Sequence, residues 1–175
     1  MRREFGKTLV ELAEEDNDII LLVGDIGYRI FDDFKKKFPE RFINFGVREQ
    51  SMICAASGMA IKGAKPYVYT ITPFLIERAF EQIKLDIIMQ NVNVKLVGYA
   101  DYPTQGPTHA EINPKRWLED LNDFAKFYQK SKQREGDVLK FYFPRDSEET
   151  RQMILESYEH EKPTFISLKR DKNIK

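Results

Sequence analysis

Residues 38–63, FPERFINFGVREQSMICAASGMAIKG, join a short strand pattern to a helix that carries almost no charge. The strand pattern ends at Gly46, and the helix is predicted over Glu49–Ile61. Glu49 is the one charged residue of that helix and lies in its first turn, where position alone suits a carboxylate that complements the helix dipole. The other residues are small or apolar, so we expect a central helix in which Cys54 belongs to the core.

Strand-like and helix-like segments alternate along the rest of the chain. Strand patterns occur at residues 19–23, 41–45, 67–71, 93–99, up to 143, and at 164–168. Because strands joined by helices form right-handed crossover units, we predict an α/β fold with a mostly parallel sheet of about six strands and helices on both faces. Ligands of such sheets bind at the carboxyl ends of the strands. The loops expected there lie at Gly24, Gly46, Thr70 and Ala100.

Length and charge exclude several classes of protein. The chain has 175 residues, of which 42% are apolar, enough for one domain with a sizeable core. Its 28 basic and 28 acidic side chains cancel, so no broad positive field is available to bind nucleic acid. No stretch reaches the roughly 18 consecutive apolar residues of a membrane helix, and the charged N-terminus is not a secretory signal. We expect one domain over residues 1–175 in a cytoplasmic protein without nucleic-acid or membrane partners.

A second informative stretch is TITPFLIERAFEQIKLD, at residues 70–86. It predicts one helix with Thr72 as the N-cap and Pro73 at the first helical position. The apolar face of this helix consists of Leu75, Ala79, Ile83 and Ile87. Phe74 and Arg78 are expected near the loop at the carboxyl end of the preceding strand.

A third stretch, QGPTHAE at residues 105–111, presents His109 on a Gly-Pro turn in a long polar loop. Taken alone, such a histidine is most simply a solvated surface residue. A helix with a further apolar stripe follows this loop and leads into a polar surface insertion at residues 129–137. The stripe consists of Trp117, Leu118, Leu121, Phe124 and Phe127.

Common cofactor and metal motifs are missing from the sequence. There is no Walker loop, no G-x-G-x-x-G fingerprint and no Cys or His cluster with metal-ligand spacing. The segment Gly24-Asp25-Ile26-Gly27 follows a strand but lacks the third glycine and the apolar helix of a phosphate loop. The sequence therefore predicts no metal ligands in this chain.

Four segments together carry a family resemblance. In order and spacing, PERFINFGVREQSM (39–52), KPYVYTITPFLIERAFEQI (65–83), GPTH (106–109) and FPRDSEE (143–149) resemble the pyrimidine-binding domain of transketolase-type thiamine diphosphate enzymes. The most specific piece is GVREQSM followed by a small-residue helix. The resemblance extends from Phe5 to about Arg170, and it implies the pyrimidine module of the thiamine diphosphate-binding fold.

The resemblance also implies roles for single residues. Glu49 takes the place of the glutamate that hydrogen-bonds the aminopyrimidine ring nitrogen of thiamine diphosphate, and Phe74 that of the aromatic residue that stacks on the pyrimidine. Arg78 lies where relatives have an arginine or a tyrosine near the cofactor. His109 matches the loop histidine that faces the sugar substrate, and Arg170 an arginine that holds a substrate phosphate. Glu49 and His109 are thus the expected catalytic residues.

One departure from the family concerns the substrate. Many members read DGPTH, with an acid that selects the configuration of the donor's hydroxyl group, whereas this chain has Gln105 before GPTH. Gln105 is therefore a candidate substrate-binding residue, and the donor specificity is left open.

A second departure concerns what binds the rest of the cofactor. The family's diphosphate-binding domain contributes a GDG motif and an asparagine that hold the metal and the diphosphate, and Gly24-Asp25-Ile26 is not that motif. The diphosphate-binding and C-terminal transketolase domains are both missing from these 175 residues. We therefore expect a partner subunit that holds Mg²⁺ or Ca²⁺, a cofactor site shared between the two chains, and a heterotetramer.

The activity implied is the transfer of a two-carbon ketol unit between sugar or sugar phosphate substrates, a reaction of carbohydrate metabolism. Two alternatives keep the cofactor and change the reaction, namely a deoxyxylulose-phosphate-synthase-like subunit and a 2-oxo acid dehydrogenase β-like subunit. A third is a non-catalytic, flavodoxin-like interaction module, for which the α/β pattern alone would suffice. Against it stands the set formed by Glu49, Phe74 and His109.

Overall fold

Six parallel strands form one sheet with helices on both faces in the computed structural model, which describes residues 1–100, 106–109, 113–131 and 138–170. The strands are β1 (Ile19–Val23), β2 (Phe42–Asn44), β3 (Lys65–Ile71), β4 (Lys95–Tyr99), β5 (Lys140–Tyr142) and β6 (Thr164–Leu168). The α-helices are α1 (Arg2–Glu15), α2 (Asp32–Lys37), α3 (Glu49–Ile61), α4 (Thr72–Ile76), α5 (Phe80–Gln82), α6 (Pro114–Ser131) and α7 (Ser147–Glu159). Short 3₁₀ turns lie at Pro39–Arg41 and Pro107–His109, and a π-helical segment at Ile83–Ile88. The predicted α/β fold is confirmed.

The strand order creates a crevice at the carboxyl edge of the sheet. The order is β2-β1-β3-β4-β6-β5, so β1 has β2 on one side and β3 on the other. The last residue of β1, Val23, lies opposite Asn44 of β2 and Tyr69 of β3. Ligand sites of open α/β sheets form where the strand order reverses in this way. The segments that follow β2 and β3 therefore begin beside the same crevice.

Side chains that alternate along the strands pack into two separate hydrophobic cores, one on each face of the sheet. Along β1, Leu22 packs into the core beneath α3, α4 and α6, whereas Leu21 and Val23 pack into the core beneath α1, α2 and α7. Burial of β1 on both faces accounts for its continuous run of aliphatic residues. No helix in the described ranges combines the length and the apolar character needed to cross a bilayer.

The helix predicted to begin at Thr72 and to carry Ile87 on its apolar face is broken into three pieces. Its predicted apolar face is buried, but α4 ends at Ile76, α5 is a single turn, and the chain then passes into the π-helical segment. The N-cap is Ile71 rather than Thr72, and the buried hydroxyl of Thr72 has no hydrogen-bond partner among the described residues. Spacing of apolar residues locates the buried face, and it does not reveal where the hydrogen-bond period changes from four to five residues.

Two burial predictions were wrong. Cys54 is exposed, and its Sγ lies 3.2 Å from Oδ2 of Asp86, because α3 packs against the sheet with one side only. Partial desolvation and this neighbouring carboxylate raise the pKa of the Cys54 thiol. Phe127 is 79% exposed, although Leu118 and Leu121 of the same helix are buried. The nearly uncharged composition of α3 indicates that the helix can be buried, but it does not indicate how many of its faces are covered.

A tight approach between β4 and α4 holds the start of the segment that carries Phe74. A Cβ atom added to Gly98 would lie 2.6 Å from Oγ1 of Thr72 and 3.2 Å from the ring of Phe165. We expect Gly98→Ala to lower the free energy of unfolding by about 1–3 kcal/mol through overpacking, as measured by urea denaturation.

Two variants test the cause of this effect. Thr72→Ala removes the clashing oxygen and should restore part of the stability of Gly98→Ala. A Cβ atom added to Gly58 of α3 would meet nothing within 4 Å, so Gly58→Ala should raise stability by about 0.5–1 kcal/mol. Equal losses for Gly98→Ala with and without Thr72→Ala would contradict the steric explanation.

Candidate functional site

Glu49 is placed by the turn that links β2 to α3. Phe45 donates its backbone N–H to the carbonyl of Val23 at 2.9 Å, which ties the turn to the end of β1. Gly46 then adopts a φ of +65°, a conformation that glycine reaches without strain. The helix begins at Glu49, whose side chain is only 4% exposed. The turn therefore directs a carboxylate into the protein at the carboxyl edge of the sheet.

Phe74 and His109 approach the same place from the next two strands. Phe74 lies in α4, directly after β3, and is 9% exposed. His109 closes the 3₁₀ turn Pro107–His109, and its ring centroid lies 4.8 Å from that of Phe74 at an angle of 64°. Its Nδ1 atom is 3.1 Å from the hydroxyl oxygen of Thr108. The histidine is thus oriented by an aromatic neighbour, which the local sequence alone did not indicate.

Arg78 connects the two sides of the site. Its guanidinium carbon lies 3.5 Å above the ring centroid of Phe74, and its Nη1 donates to Oε1 of Glu49 at 3.3 Å. The Arg78 side chain is 38% exposed, whereas its carboxylate partner is buried. Glu49, Phe74, Arg78 and His109 therefore form one contiguous group, which we name the carboxyl-edge cluster.

An open cavity of about 420 Å³ lies beside this cluster. Its lining consists of Val47, Arg48, Glu49, Gln50, Ser51 and Arg78. Val47 is 65% exposed on the rim, so an apolar side chain faces outward next to the buried carboxylate. The cavity gives a small planar molecule access to Glu49 from the solvent side.

Asp25 and Asn44 brace the neighbouring loops, a role that the sequence motifs did not predict. The backbone N–H of Asp25 donates to Oδ1 of Asn44 at 3.1 Å, and Nδ2 of Asn44 donates to Oδ1 of Asp25 at 3.1 Å. Oδ1 of Asn44 also accepts the N–H of Gly46 at 2.9 Å. The hydroxyl of Tyr28 donates to Asp25, which raises the pKa of Tyr28. Polar residues at or just beyond the carboxyl ends of two adjacent strands were the available signal.

The remaining predicted site residues are Gln105 and Arg170. Gln105 lies outside the described residues. Arg170 is exposed beyond the end of β6, and within the described part of the chain it makes no hydrogen bond or ring contact with the cluster. The described residues likewise contain no group of three or more His, Cys, Asp or Glu side chains that could hold a metal ion.

Fold and site together define an α/β ligand-binding module, in which a buried carboxylate and an aromatic ring meet at the carboxyl edge of a parallel sheet. The comparison with protein families narrows this class. The family model described as the transketolase pyrimidine-binding domain matches residues 1–174, and the chain belongs to that family. The resemblance carried by the sequence motifs is confirmed.

Individual relatives agree with the family. An apulose-4-phosphate transketolase subunit of Phocaeicola vulgatus is 28% identical over 173 residues, or 97% of this chain and 51% of that protein. The 1-deoxy-D-xylulose-5-phosphate synthase of Aquifex aeolicus is 33% identical over 144 residues, or 77% of this chain and 22% of that protein. A solved split-gene transketolase, described as an inactive beta4 tetramer, matches with a TM-score of 0.79 and 30% identity over 99% of this chain and 52% of that one. The chain thus spans about half the length of these relatives or less.

The contact between Arg78 and the buried Glu49 should be measurable as coupling in stability. Removing the guanidinium leaves a buried carboxylate without its cation, which is costly, although the exposure of Arg78 reduces the effect. We expect Arg78→Met to lower the free energy of unfolding by about 1–2 kcal/mol, and by clearly less when Glu49 is already glutamine.

Arg48→Met is the matched control for the double-mutant cycle formed by Arg78→Met and Glu49→Gln. Arg48 lines the same cavity, but its guanidinium makes no ion pair with any residue in the described ranges. Its removal should change stability by less than about 0.5 kcal/mol. Strictly additive effects of Arg78→Met and Glu49→Gln would show that the two side chains do not interact in solution.

Proposed function

We propose that this chain is the pyrimidine-binding part of a thiamine diphosphate-dependent, transketolase-like transferase that moves a two-carbon ketol unit between sugar or sugar phosphate substrates. The observation that carries the proposal is the carboxyl-edge cluster. A buried carboxylate and an aromatic ring lie close enough for one planar group, the guanidinium of Arg78, to touch both. Membership of the transketolase pyrimidine-binding family supports the assignment.

The cluster suits an aminopyrimidine. Glu49 can share a proton with a ring nitrogen, and its burial keeps bulk water away from that hydrogen bond. The flat ring of Phe74 offers a stacking surface for a second aromatic ring. Bound thiamine diphosphate supplies the electron sink that allows a carbon–carbon bond next to a carbonyl to break. The contribution of this chain is to orient the pyrimidine and to hold the proton at its ring nitrogen.

We propose that the diphosphate and its metal are held by another polypeptide. The described residues contain no candidate metal cluster, and a diphosphate with Mg²⁺ or Ca²⁺ needs several oxygen ligands. The exposed Val47 and the open cavity next to Glu49 provide a surface against which such a partner can close the site. The likeness to a split-gene transketolase, and to a Phocaeicola vulgatus protein named as one subunit of a transketolase, supports a two-chain enzyme, for which we propose a heterotetramer.

A second candidate keeps the cofactor and uses a different donor. The synthase of Aquifex aeolicus that matches this chain is named for making 1-deoxy-D-xylulose 5-phosphate. Gln105 stands where many transketolases have an acid, which leaves the choice of donor open. Turnover with a ketose phosphate donor, and none with pyruvate, would favour the transketolase reaction.

The decisive experiment combines the purified chain with the diphosphate-binding subunit of a split transketolase. We expect thiamine diphosphate with Mg²⁺ to bind the complex much more tightly than either chain alone, as measured by calorimetry. In that complex Glu49→Gln should lower ketol-transfer turnover about 10²–10⁴-fold, because proton control at the ring nitrogen is lost.

Glu148→Gln is the matched control for the glutamate. Glu148 also lies in the first turn of a helix, but it is exposed on α7. Its replacement should leave turnover within about twofold. Tight cofactor binding by the isolated chain would contradict the shared site, and full activity of Glu49→Gln would remove Glu49 from the mechanism.

His109 should affect substrate more than cofactor. Its ring touches Phe74 at the carboxyl edge of the sheet, and an imidazole at that place can exchange a proton with a carbonyl or hydroxyl group of the substrate. We expect His109→Ala to lower kcat/KM for the donor about 10²-fold or more and to change the Kd of thiamine diphosphate less than about threefold.

The other histidine provides the control. His160 follows α7, before the amino end of β6, and lines a different cavity. His160→Ala should leave kcat/KM within about twofold. A large loss of cofactor affinity in His109→Ala, with unchanged donor kinetics, would show that the loop serves the cofactor instead.

A further inference from the structure

Arg78 makes both of the contacts that the proposed function assigns to the aminopyrimidine. Its guanidinium carbon lies 3.5 Å from the Phe74 ring centroid, which is a full stacking distance. Its Nη1 atom lies 3.3 Å from a carboxylate oxygen of Glu49. One small planar cation therefore bridges the proton-sharing group and the stacking surface.

These distances leave no room for a second planar group in the same position. A ring that stacks on the same face of Phe74 and at the same time hydrogen-bonds Oε1 of Glu49 would have to lie between the two side chains. The guanidinium lies in that volume, since it contacts both of them at van der Waals or hydrogen-bond distance. A ring bound in this way would therefore overlap the guanidinium of Arg78, so only one of the two can occupy that position.

We propose that Arg78 is a displaceable stand-in for the aminopyrimidine, which leaves Phe74 and Glu49 when the cofactor binds. The inference rests on the proposed function and adds a competing residue to it. Guanidinium matches an aminopyrimidine that is protonated at its ring nitrogen, because both are flat and present an N–H donor to a carboxylate. While it is in place, it supplies the buried Glu49 carboxylate with a positive partner.

The position of Arg78 on the protein allows it to leave. The side chain is 38% exposed and lines the open cavity, so its charge can move into water. A partly exposed ion pair and a single cation–π contact are both weak interactions in water. Displacement therefore reduces cofactor affinity by a limited factor and does not prevent binding.

Calorimetry on the two-chain complex tests this competition. We expect Arg78→Met to tighten the Kd of thiamine diphosphate, in the presence of Mg²⁺, about 3–10-fold, because no stand-in has to be removed. Arg78→Lys keeps the charge but loses the planar group, so it should tighten binding by a smaller factor, and it covers the case in which Arg78→Met folds poorly. Arg48→Met removes the same charge from the same cavity wall without a contact to Phe74, and it reports the effect of charge alone.

A spectroscopic measurement follows Arg78 directly. The Nε–Hε group of an arginine stacked on an aromatic ring is shifted upfield by the ring current. In ¹⁵N-labelled chain within the complex, the Arg78 signal should be shifted, and it should move to the position of a solvated arginine when thiamine diphosphate saturates the site. Phe74→Leu should abolish the shift without cofactor.

The outcomes separate the inference from the proposed function. Failure of the wild-type complex to bind thiamine diphosphate would overturn both. If the wild-type complex binds the cofactor, but Arg78→Met binds it equally or more weakly than Arg48→Met, or the Arg78 signal stays shifted at saturation, only the stand-in role is wrong.

Discussion

A carboxylate removed from water needs a hydrogen-bond donor or a cation beside it, and the geometry around Glu49 follows from this requirement. Glu49 is 4% exposed at the start of a helix that carries no other charge. The turn at Gly46 aims it inward, and Arg78 reaches it from the segment after the next strand. The chain that carries this arrangement belongs to the family of transketolase pyrimidine-binding domains. The rest of the fold serves to bring the two segments to one edge of the sheet.

Phe74 links the two halves of the proposed chemistry. One face of its ring is covered by the guanidinium of Arg78, and the ring also meets the imidazole of His109 in a T-shaped contact. A shift of the Phe74 ring caused by a change at Arg78 would therefore also move its contact with His109, the side chain proposed to face the substrate. The β3–α4 connection that holds Phe74 is packed tightly at Gly98, so the ring has a rigid support. Rigid support of a binding ring lowers the cost of orienting a ligand on it.

Much of this architecture could be predicted from local patterns. The bounds of α3 and β1 agree with the sequence prediction, because an uninterrupted run of small residues and an uninterrupted run of aliphatic residues have clear ends. The exposure of Cys54 and Phe127 could not be predicted in this way, since it depends on which other elements pack against α3 and α6. The motifs identified Glu49, Phe74, Arg78 and His109 individually. Their mutual contacts depend on side-chain directions after three different strands, and no spacing along the chain encodes those.

The two outermost strands, β2 and β5, are only three residues long each. An exposed strand edge of that length offers few free backbone groups to an incoming chain, which protects the sheet from growing by strand addition. Side chains on the helices and loops are then the more favourable means of contact with another chain. Recognition of another polypeptide is thereby directed away from the generic chemistry of the peptide backbone and toward surfaces that evolution can tailor residue by residue.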